Sequence, residues 1–207
     1  MSTSKDKNSS YHHGDLRNAL IEAGLHQLTE AGIERLSLRK IARDVGVSHN
    51  APYMHFKDKE GLLAAMALEG FTLLYDATNV FASNTDMSWH AQFSAVAHAY
   101  VDFALTHPAH MQVMFRDYDS NIYPDTSQSA ERAFNLLRDV MAEGQQAGLI
   151  EAGDSAKQAA LIWSLLHGLA MIIAADKMPD SVIAEGESRQ LIQLFIDQVY
   201  RGLKVTP

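Results

Sequence analysis

The chain of 207 residues contains no cysteine. That absence excludes a disulfide framework, a zinc site built on thiolates and a cysteine nucleophile, and it is ordinary for a reducing cytoplasm. The sequence also lacks a secretion signal, a glycine-rich phosphate loop, a serine elbow and a carboxylate pair in a catalytic context. We therefore expect a cytoplasmic protein that is not an enzyme, with no catalytic residues and no cofactor.

Patterns typical of β-strands, internal repeats and low-complexity tracts are also missing. Hydrophobic residues make up 47% of the chain, which suffices for buried cores, and they recur at helical spacing. The sequence predicts an all-α protein of about nine helices. Residues 1–10, rich in Ser, Lys and Asn, are predicted to form a disordered arm.

Acidic residues outnumber basic ones and give a net charge of −8, but the two signs are unevenly distributed. Residues 1–60 carry nine Lys and Arg against eight Asp and Glu, whereas residues 61–207 carry eight against seventeen. The acidic excess therefore lies in the C-terminal part, which leaves the N-terminal part free to approach a phosphate backbone.

Residues 37–59 predict two short helices joined by a tight turn. Four apolar residues form one stripe of the first helix: Leu38, Ile41, Ala42 and Val45. Gly46 supplies a left-handed exit from that helix, and the hydroxyl of Ser48 is predicted to cap the next one. This arrangement is a helix-turn-helix, which presents its second helix to a DNA groove.

The second helix of the motif, predicted over residues 48–56, is too short to be stable alone. Packing must hold it, and Val47, Pro52 and Phe56 are the residues available. Pro52 is tolerated because its missing N–H has no partner to lose in a first helical turn. The other side chains form a polar and aromatic surface: His49, Asn50, Tyr53, Met54 and His55. Such a surface suits base edges and phosphate oxygens.

This chemistry predicts nine DNA contacts: Ser37, Arg39, Ser48, His49, Asn50, Ala51, Tyr53, His55 and Lys59. The Asn50 amide has bidentate potential toward adenine, and its sequence neighbours are expected beside it in the groove. Tyr53, His55 and Lys59 are expected at phosphates, where Lys59 adds charge to a helix N-terminus. The alternative for each is an ordinary exposed side chain.

The remaining helices divide the chain into domains. A helix over residues 15–32 completes a three-helix unit spanning residues 11–57. A long helix over residues 58–82, capped by Asp58, spans on the order of 37 Å and is predicted to connect this unit to an effector-binding and dimerisation domain, residues 83–207. Five further helices are predicted in that domain: residues 88–106, 108–116, 126–147, 155–175 and 187–204.

Residues 158–175 form an uncharged run. A membrane-spanning helix needs about 20 predominantly apolar residues, and this shorter run contains Gln158, Ser164 and His167, so we expect no membrane partner. A helix that is apolar on all sides needs a covering partner. We predict a homodimer in which the last two helices of each copy form a four-helix bundle.

Aromatic and methionine side chains of the C-terminal domain could line a pocket for an unknown small-molecule effector. The candidate ligand contacts are Phe103, Phe134, Met141, Trp163 and His167. Trp163 and His167 are four residues apart and share a helix face. The alternative, which we favour, is that His167 satisfies a buried hydrogen bond and Gly168 allows close helix packing.

Four histidines raise the alternative of a metal site: His90, His98, His107 and His110. His98 and Asp102 have the i, i+4 spacing that places two ligands on one helix face. No HExxH-like or cysteine-containing motif accompanies them, so we predict no metal site.

Several segments resemble the tetracycline-repressor (TetR) family of bacterial regulators. They are Tyr11-His-His-Gly-Asp-Leu-Arg17, residues 36–48, and residues 51–59 followed by Leu62-Leu63. Downstream, Trp163-Ser-Leu-Leu-His-Gly168 resembles the Trp/His-Gly motif in the regulatory domain of one branch of that family. The resemblance implies a DNA-binding transcriptional regulator with a C-terminal regulatory domain.

The favoured hypothesis is a dimeric transcriptional regulator, usually a repressor by the family resemblance, released from a palindromic DNA operator by a small molecule. The alternative is an all-α small-molecule or metal-binding protein whose N-terminal unit binds protein rather than DNA.

Overall fold

The computed structural model describes residues 13–179, 182 and 188–204. All regular structure in that part of the chain is helical, which confirms the all-α prediction. The α-helices are α1 (His13–Ala31), α2 (Leu38–Val45), α3 (Lys59–Ala82), α4 (Trp89–Thr106), α5 (Pro108–Met114), α6 (Pro124–Gln146), α7 (Ser155–Ala174) and α8 (Ser188–Leu203). Two 3-10 segments, Ile33–Arg35 and Ala51–Met54, complete the described helices. The predicted disordered arm, residues 1–10, lies outside the described residues.

The chain divides into two compact units between Met66 and Ala67. The helix α3 begins in the first unit and ends in the second. Its predicted cap is confirmed, because the Asp58 carboxylate accepts a hydrogen bond from the Gly61 N–H at 2.9 Å. The functional division into residues 11–57, 58–82 and 83–207 stays a prediction.

The first unit has a small apolar core between α1, α2 and the start of α3. Buried residues of this core include Leu20, Ile21, Leu28, Ile41, Leu62 and Met66. Gly24 of α1 lies where these helices meet, since a Cβ on it would lie 3.3 Å from atoms of Leu62 and Met66. A small residue is therefore needed at position 24 for this packing.

The second unit packs α4, α6, α7 and α8 around a larger core. Trp89, at the start of α4, donates a hydrogen bond from its indole nitrogen to the Val140 carbonyl at 2.7 Å. Its ring stacks on Phe93, with centroids 5.5 Å apart. The indole also lies directly over Gly144 of α6, so this contact fixes α4 against α6.

Helix α7 is, among the described helices, the one whose length and apolar composition would allow it to cross a membrane. One of its faces belongs to the core of the second unit, where Ile162, Leu166 and Ala170 are buried. The opposite face carries exposed apolar residues: Leu161, Leu165 and Ile172. A Cβ on Gly168 would meet nothing within 4 Å among the described residues, so the prediction that this glycine allows close helix packing stays a prediction.

Candidate nucleic-acid interface and ligand cavity

Ser37 begins the helix-turn-helix and is held by two hydrogen bonds. Its hydroxyl accepts from the Lys40 N–H at 3.5 Å and caps α2, as the preference of serine for N-caps leads one to expect. Its own N–H donates to the side-chain oxygen of Gln27 at 2.6 Å. Gln27 is 1% exposed, and sequence reasoning missed it. The available signal was its position three residues after Gly24, within the apolar arc of α1.

Gly46 ends α2 as predicted. Its φ of 79° and ψ of 26° are left-handed, and its N–H donates to carbonyls at the end of α2. The next N–H, of Val47, donates back to the Ala42 carbonyl at 2.9 Å. Glycine adopts this conformation without a Cβ clash, and the returning bonds satisfy carbonyls that the helix end leaves open.

The recognition segment, which we define as residues 48–56, differs from the predicted helix. Its regular part is the four-residue 3-10 segment Ala51–Met54, and the N-cap residue is Asn50, with no side-chain capping bond. The prediction that the Ser48 hydroxyl caps this helix is therefore wrong. Two hydrogen bonds between residues three apart hold this turn in 3-10 geometry: the Tyr53 N–H donates to the Asn50 carbonyl at 3.1 Å and the His55 N–H donates to the Pro52 carbonyl at 3.0 Å. Pro52 itself lacks an N–H.

Packing holds the recognition segment as predicted. Pro52 and Phe56 are buried, and the guanidinium of Arg17 lies 5.7 Å from the Phe56 ring centroid. Tyr53 is 48% and Met54 84% exposed. His49 and Asn50 are also exposed, so the segment presents a hydrogen-bonding surface on a fixed apolar base.

The other predicted DNA contacts belong to the same unit. Arg39 on α2 and Ser48 are exposed, whereas Ser37, Ala51 and His55 are half-buried. The Lys59 ammonium donates to the Glu34 carbonyl at 3.3 Å, which links the start of α3 to the segment between α1 and α2. The assignment of all nine residues to DNA stays a prediction.

The second unit contains a cavity of about 600 Å³. Helices α3, α4, α6 and α7, with the end of α5, supply its walls. Most of its lining is apolar and includes Phe71, Leu74, Val96, Tyr100, Met114, Phe115, Phe134, Leu137, Trp163 and Leu166. Two of the five candidate ligand contacts, Phe134 and Trp163, are therefore at the cavity. Phe103 and Met141, at 4% and 0% exposed, lie in the packed core instead, because their helix faces point to neighbouring helices.

His167 is hydrogen-bonded to Tyr100, which lines the cavity. The Tyr100 hydroxyl accepts a hydrogen bond from the Trp163 indole N–H at 3.1 Å and is hydrogen-bonded to His167 Nδ1 at 2.9 Å. Burial raises the pKa of Tyr100 to about 12, and desolvation lowers the pKa of His167. All three side chains are therefore neutral at neutral pH. His167 therefore makes a hydrogen bond as predicted, but the bond is half-buried rather than buried.

Two of the four histidines considered for a metal site have separate hydrogen-bonding partners. His98 Nε2 lies 2.8 Å from the Gln193 side-chain oxygen, and His110 Nε2 lies 3.2 Å from a Glu69 carboxylate oxygen. Asp102, the predicted partner of His98, is exposed. Over the described ranges, no three His, Asp or Glu side chains come together as potential metal ligands.

Comparison with known proteins finds relatives for both units. The model of bacterial regulatory proteins of the tetR family matches residues 20–66, and that of the tetracyclin repressor-like C-terminal domain matches residues 93–198. A helix-turn-helix-type transcriptional regulator of Mycobacterium tuberculosis is 29% identical over 139 residues, which cover 65% of this chain and 59% of that protein. The class D tetracycline repressor of Escherichia coli is 42% identical over 53 residues, 26% of this chain and 24% of the repressor.

Solved structures share the fold over most of the chain. A Rhodococcus sp. RHA1 protein of unknown function is 31% identical with a TM-score of 0.82, covering 96% of this chain and 100% of that one. The TetR-family regulator PfmR of Thermus thermophilus is 20% identical with a TM-score of 0.70, covering 90% and 99%. The C-terminal model alone spans half of the sequence, and the chain therefore belongs to the tetR family of bacterial regulatory proteins.

Proposed function

We propose that the protein is a sequence-specific DNA-binding transcriptional repressor that a small molecule releases from its operator. The observation that carries this proposal is the recognition segment, in which Pro52 and Phe56 are buried while the hydrogen-bonding side chains of His49, Asn50 and Tyr53 are exposed. A rigidly held surface of this kind can hydrogen-bond to base edges, which makes binding sequence-specific. It carries little of the positive charge that would bind the phosphates of any DNA sequence equally well. Such a protein works where the chromosome is, in the cytoplasm.

The exposed side chains have separate roles in this proposal. Asn50 pairs with the edge of an adenine, with His49 and Ala51 beside it, and Tyr53 contacts the phosphate backbone. The Lys59 ammonium has one bond to the Glu34 carbonyl and, with three donors, can serve a phosphate oxygen as well. Contacts to phosphate position the unit, and contacts to bases select the sequence.

A homodimer supplies the second recognition segment. The exposed apolar face of α7 and the exposed Leu194 of α8 are surfaces that a second copy would cover. Two recognition segments in a two-fold dimer, separated by roughly 34 to 36 Å, would bind successive major grooves of a palindromic site.

The cavity adjoins the helix that leads toward the DNA-binding unit. Phe71 of α3 lines it, and a Cβ on Gly70 would lie 2.7 Å from the sulfur of Met114, another lining residue. The Glu69 carboxylate is bound to His110 of α5 at 3.2 Å. A ligand that moves Met114 therefore acts on α3 directly, and it releases the operator if it binds the DNA-free state more tightly.

A gel-shift experiment with the DNA that flanks the coding region tests the proposal. We expect salt-sensitive, sequence-specific binding that is lost in Tyr53→Ala and reduced by about 1–3 kcal/mol in Asn50→Ala. His26→Ala is the matched control, because His26 is exposed on α1 outside the recognition segment. Absent or salt-insensitive binding would contradict the proposal and favour a protein-binding role for the first unit.

A further inference from the structure

The cavity of the second unit has walls of aromatic rings. The Trp163 ring centroid lies 5.7 Å from that of Phe115 and 6.5 Å from that of Phe134, and Phe71 meets Phe115 edge-on at 5.8 Å. Aromatic pairs are favourable at centroid separations of 4.5–7 Å in tilted or edge-to-face geometry. These rings line the cavity, so a further ring system inside it can pack against them in the same kinds of geometry.

Charged groups of the lining lie toward solvent. Within the described part of the chain these are Arg116 and Glu131, and both residues are exposed. Glu131 also borders a neighbouring polar groove that contains Arg132 and Asp139. An ionised ligand group in the apolar interior would lose its hydration without a buried counter-charge, which costs several kcal/mol.

One polar group of the lining is the Tyr100 hydroxyl, held between Trp163 and His167. The indole N–H is a donor, so the tyrosine oxygen accepts from it. If the Tyr100 hydroxyl donates its hydrogen bond to His167, one lone pair of the oxygen remains to accept from a ligand. If His167 donates to the oxygen instead, the hydroxyl proton remains to be donated to a ligand. An alcohol on a ligand both donates and accepts, so it satisfies Tyr100 with either histidine tautomer.

We propose that the cavity binds an uncharged, multi-ring aromatic alcohol, with its rings against Trp163, Phe115 and Phe134 and its hydroxyl on Tyr100. A cavity of about 600 Å³ lies within the range that holds drug-sized ligands. This inference rests on the proposed function only for the role of the ligand as effector. Trp163 and His167 are positioning residues, since they fix the Tyr100 hydroxyl.

A matched series of pyrene probes tests this ligand class. At neutral pH 1-pyrenemethanol is uncharged, 1-pyrenecarboxylate is an anion and 1-pyrenemethylamine is a cation, while 1-ethylpyrene is uncharged, of similar size, and neither donates nor accepts a hydrogen bond. Binding to the full-length protein is followed by the anisotropy of pyrene emission. We expect the alcohol to bind at least about tenfold more tightly than either ion, a difference of about 1.4 kcal/mol.

The variant Tyr100→Phe is expected to lower the affinity for the alcohol relative to that for 1-ethylpyrene, because the hydrocarbon makes no hydrogen bond to Tyr100. Tyr200→Phe is the control, because Tyr200 lies against Trp89 and His90 and not at the cavity. The inference is overturned if either ion binds as tightly as the alcohol, if no probe binds, or if Tyr100→Phe folds and leaves the ratio of the alcohol and 1-ethylpyrene affinities unchanged. The comparison of the alcohol with the ions needs no variant and holds even if Tyr100→Phe does not fold.

The same samples, measured by gel-shift, separate this inference from the proposed function. Probe binding with the expected preferences, but with no effect on DNA binding, supports the ligand class and contradicts ligand-controlled release. Intact, specific DNA binding with no preference for the alcohol overturns the ligand class alone.

Discussion

Gly144 is the residue at which α6 accommodates the indole of Trp89. An ideal Cβ at this position would lie 2.5 Å from Trp89 Cε2 and 2.6 Å from Cζ2, closer than any pair of carbons packs. The indole cannot move freely, since it donates to Val140 and stacks on Phe93. This glycine is therefore required by packing, although glycine disfavours a helix interior by about 1 kcal/mol relative to alanine.

The variant Gly144→Ala is expected to lower the free energy of unfolding by about 2 kcal/mol, because the cost of overpacking exceeds the gain in helix propensity. Urea unfolding followed by circular dichroism measures it. Gly202→Ala in α8 is the matched control, since a Cβ there meets nothing within 4 Å, and it should be neutral or slightly stabilising. Equal stability of the two variants would contradict the packing argument.

His167 gives the second unit a pH-dependent stability. Desolvation lowers the pKa of His167 in the folded protein, so the unfolded chain binds the proton more readily. The contribution of this histidine to stability is full above its unfolded pKa of about 6.5 and is lost as the pH falls from that value toward the folded pKa. Acid therefore destabilises the folded second unit, because the partly desolvated imidazole must take up a charge.

The variant His167→Asn keeps an acceptor near the position of Nδ1 but does not titrate. Its free energy of unfolding is expected to fall less steeply between pH 6.5 and pH 5 than that of the native protein. Chemical unfolding at a series of pH values measures the difference. His26→Asn, at an exposed site on α1, should retain the native slope, and a native slope in His167→Asn as well would disprove the assignment.

At the scale of the elements, periodicity and end signals predict most of what the structure contains. The long helix begins after the Asp58 cap, α2 lies between its caps Ser37 and Gly46, and Pro108 begins α5. These signals are local, because each depends on bonds within one turn of the chain. The predicted helices of the C-terminal part end within a few residues of the observed bounds for the same reason.

The features that the sequence did not predict at this scale depend on tertiary contacts rather than on neighbouring residues. The regular part of the recognition segment is a 3-10 turn of four residues, which bonds between residues three apart and tertiary packing hold. On α3, Leu73 is exposed whereas its neighbour Leu74 is buried. The elements that pack against α3 determine which of two adjacent residues is buried, and a local sequence pattern does not identify those elements.

The candidate site was predicted in its parts but not in its assembly. The Trp163 and His167 spacing indicated a shared helix face, yet Tyr100, which joins them, is 63 residues from Trp163. Tyr100 was visible in the sequence as one aromatic residue of α4 among several. Only the packing of α4 against α7 brings its hydroxyl to the indole and the imidazole.

At the scale of the whole molecule, Gly168 points to the surface that a second copy would cover. It lies in an exposed apolar face of α7 with Leu165 and Ile172, and no atom of its own chain would contact its Cβ. Glycine in a helix is costly unless another backbone approaches it closely. In the proposed dimer, the approaching backbone belongs to a helix of the partner.

A large side chain at this position is therefore expected to separate the copies while leaving each chain folded. Gly168→Phe should shift the protein from dimer to monomer in analytical ultracentrifugation at micromolar concentration, with unchanged helix content, since the substitution meets open space within the chain. Its affinity for a palindromic operator should fall more steeply than its affinity for an isolated half-site, because only the dimer binds both grooves at once. His26→Phe, at an exposed site of α1 outside the predicted four-helix bundle, reports whether any added bulky side chain has this effect. A stable dimer in Gly168→Phe would place the interface elsewhere on the molecule.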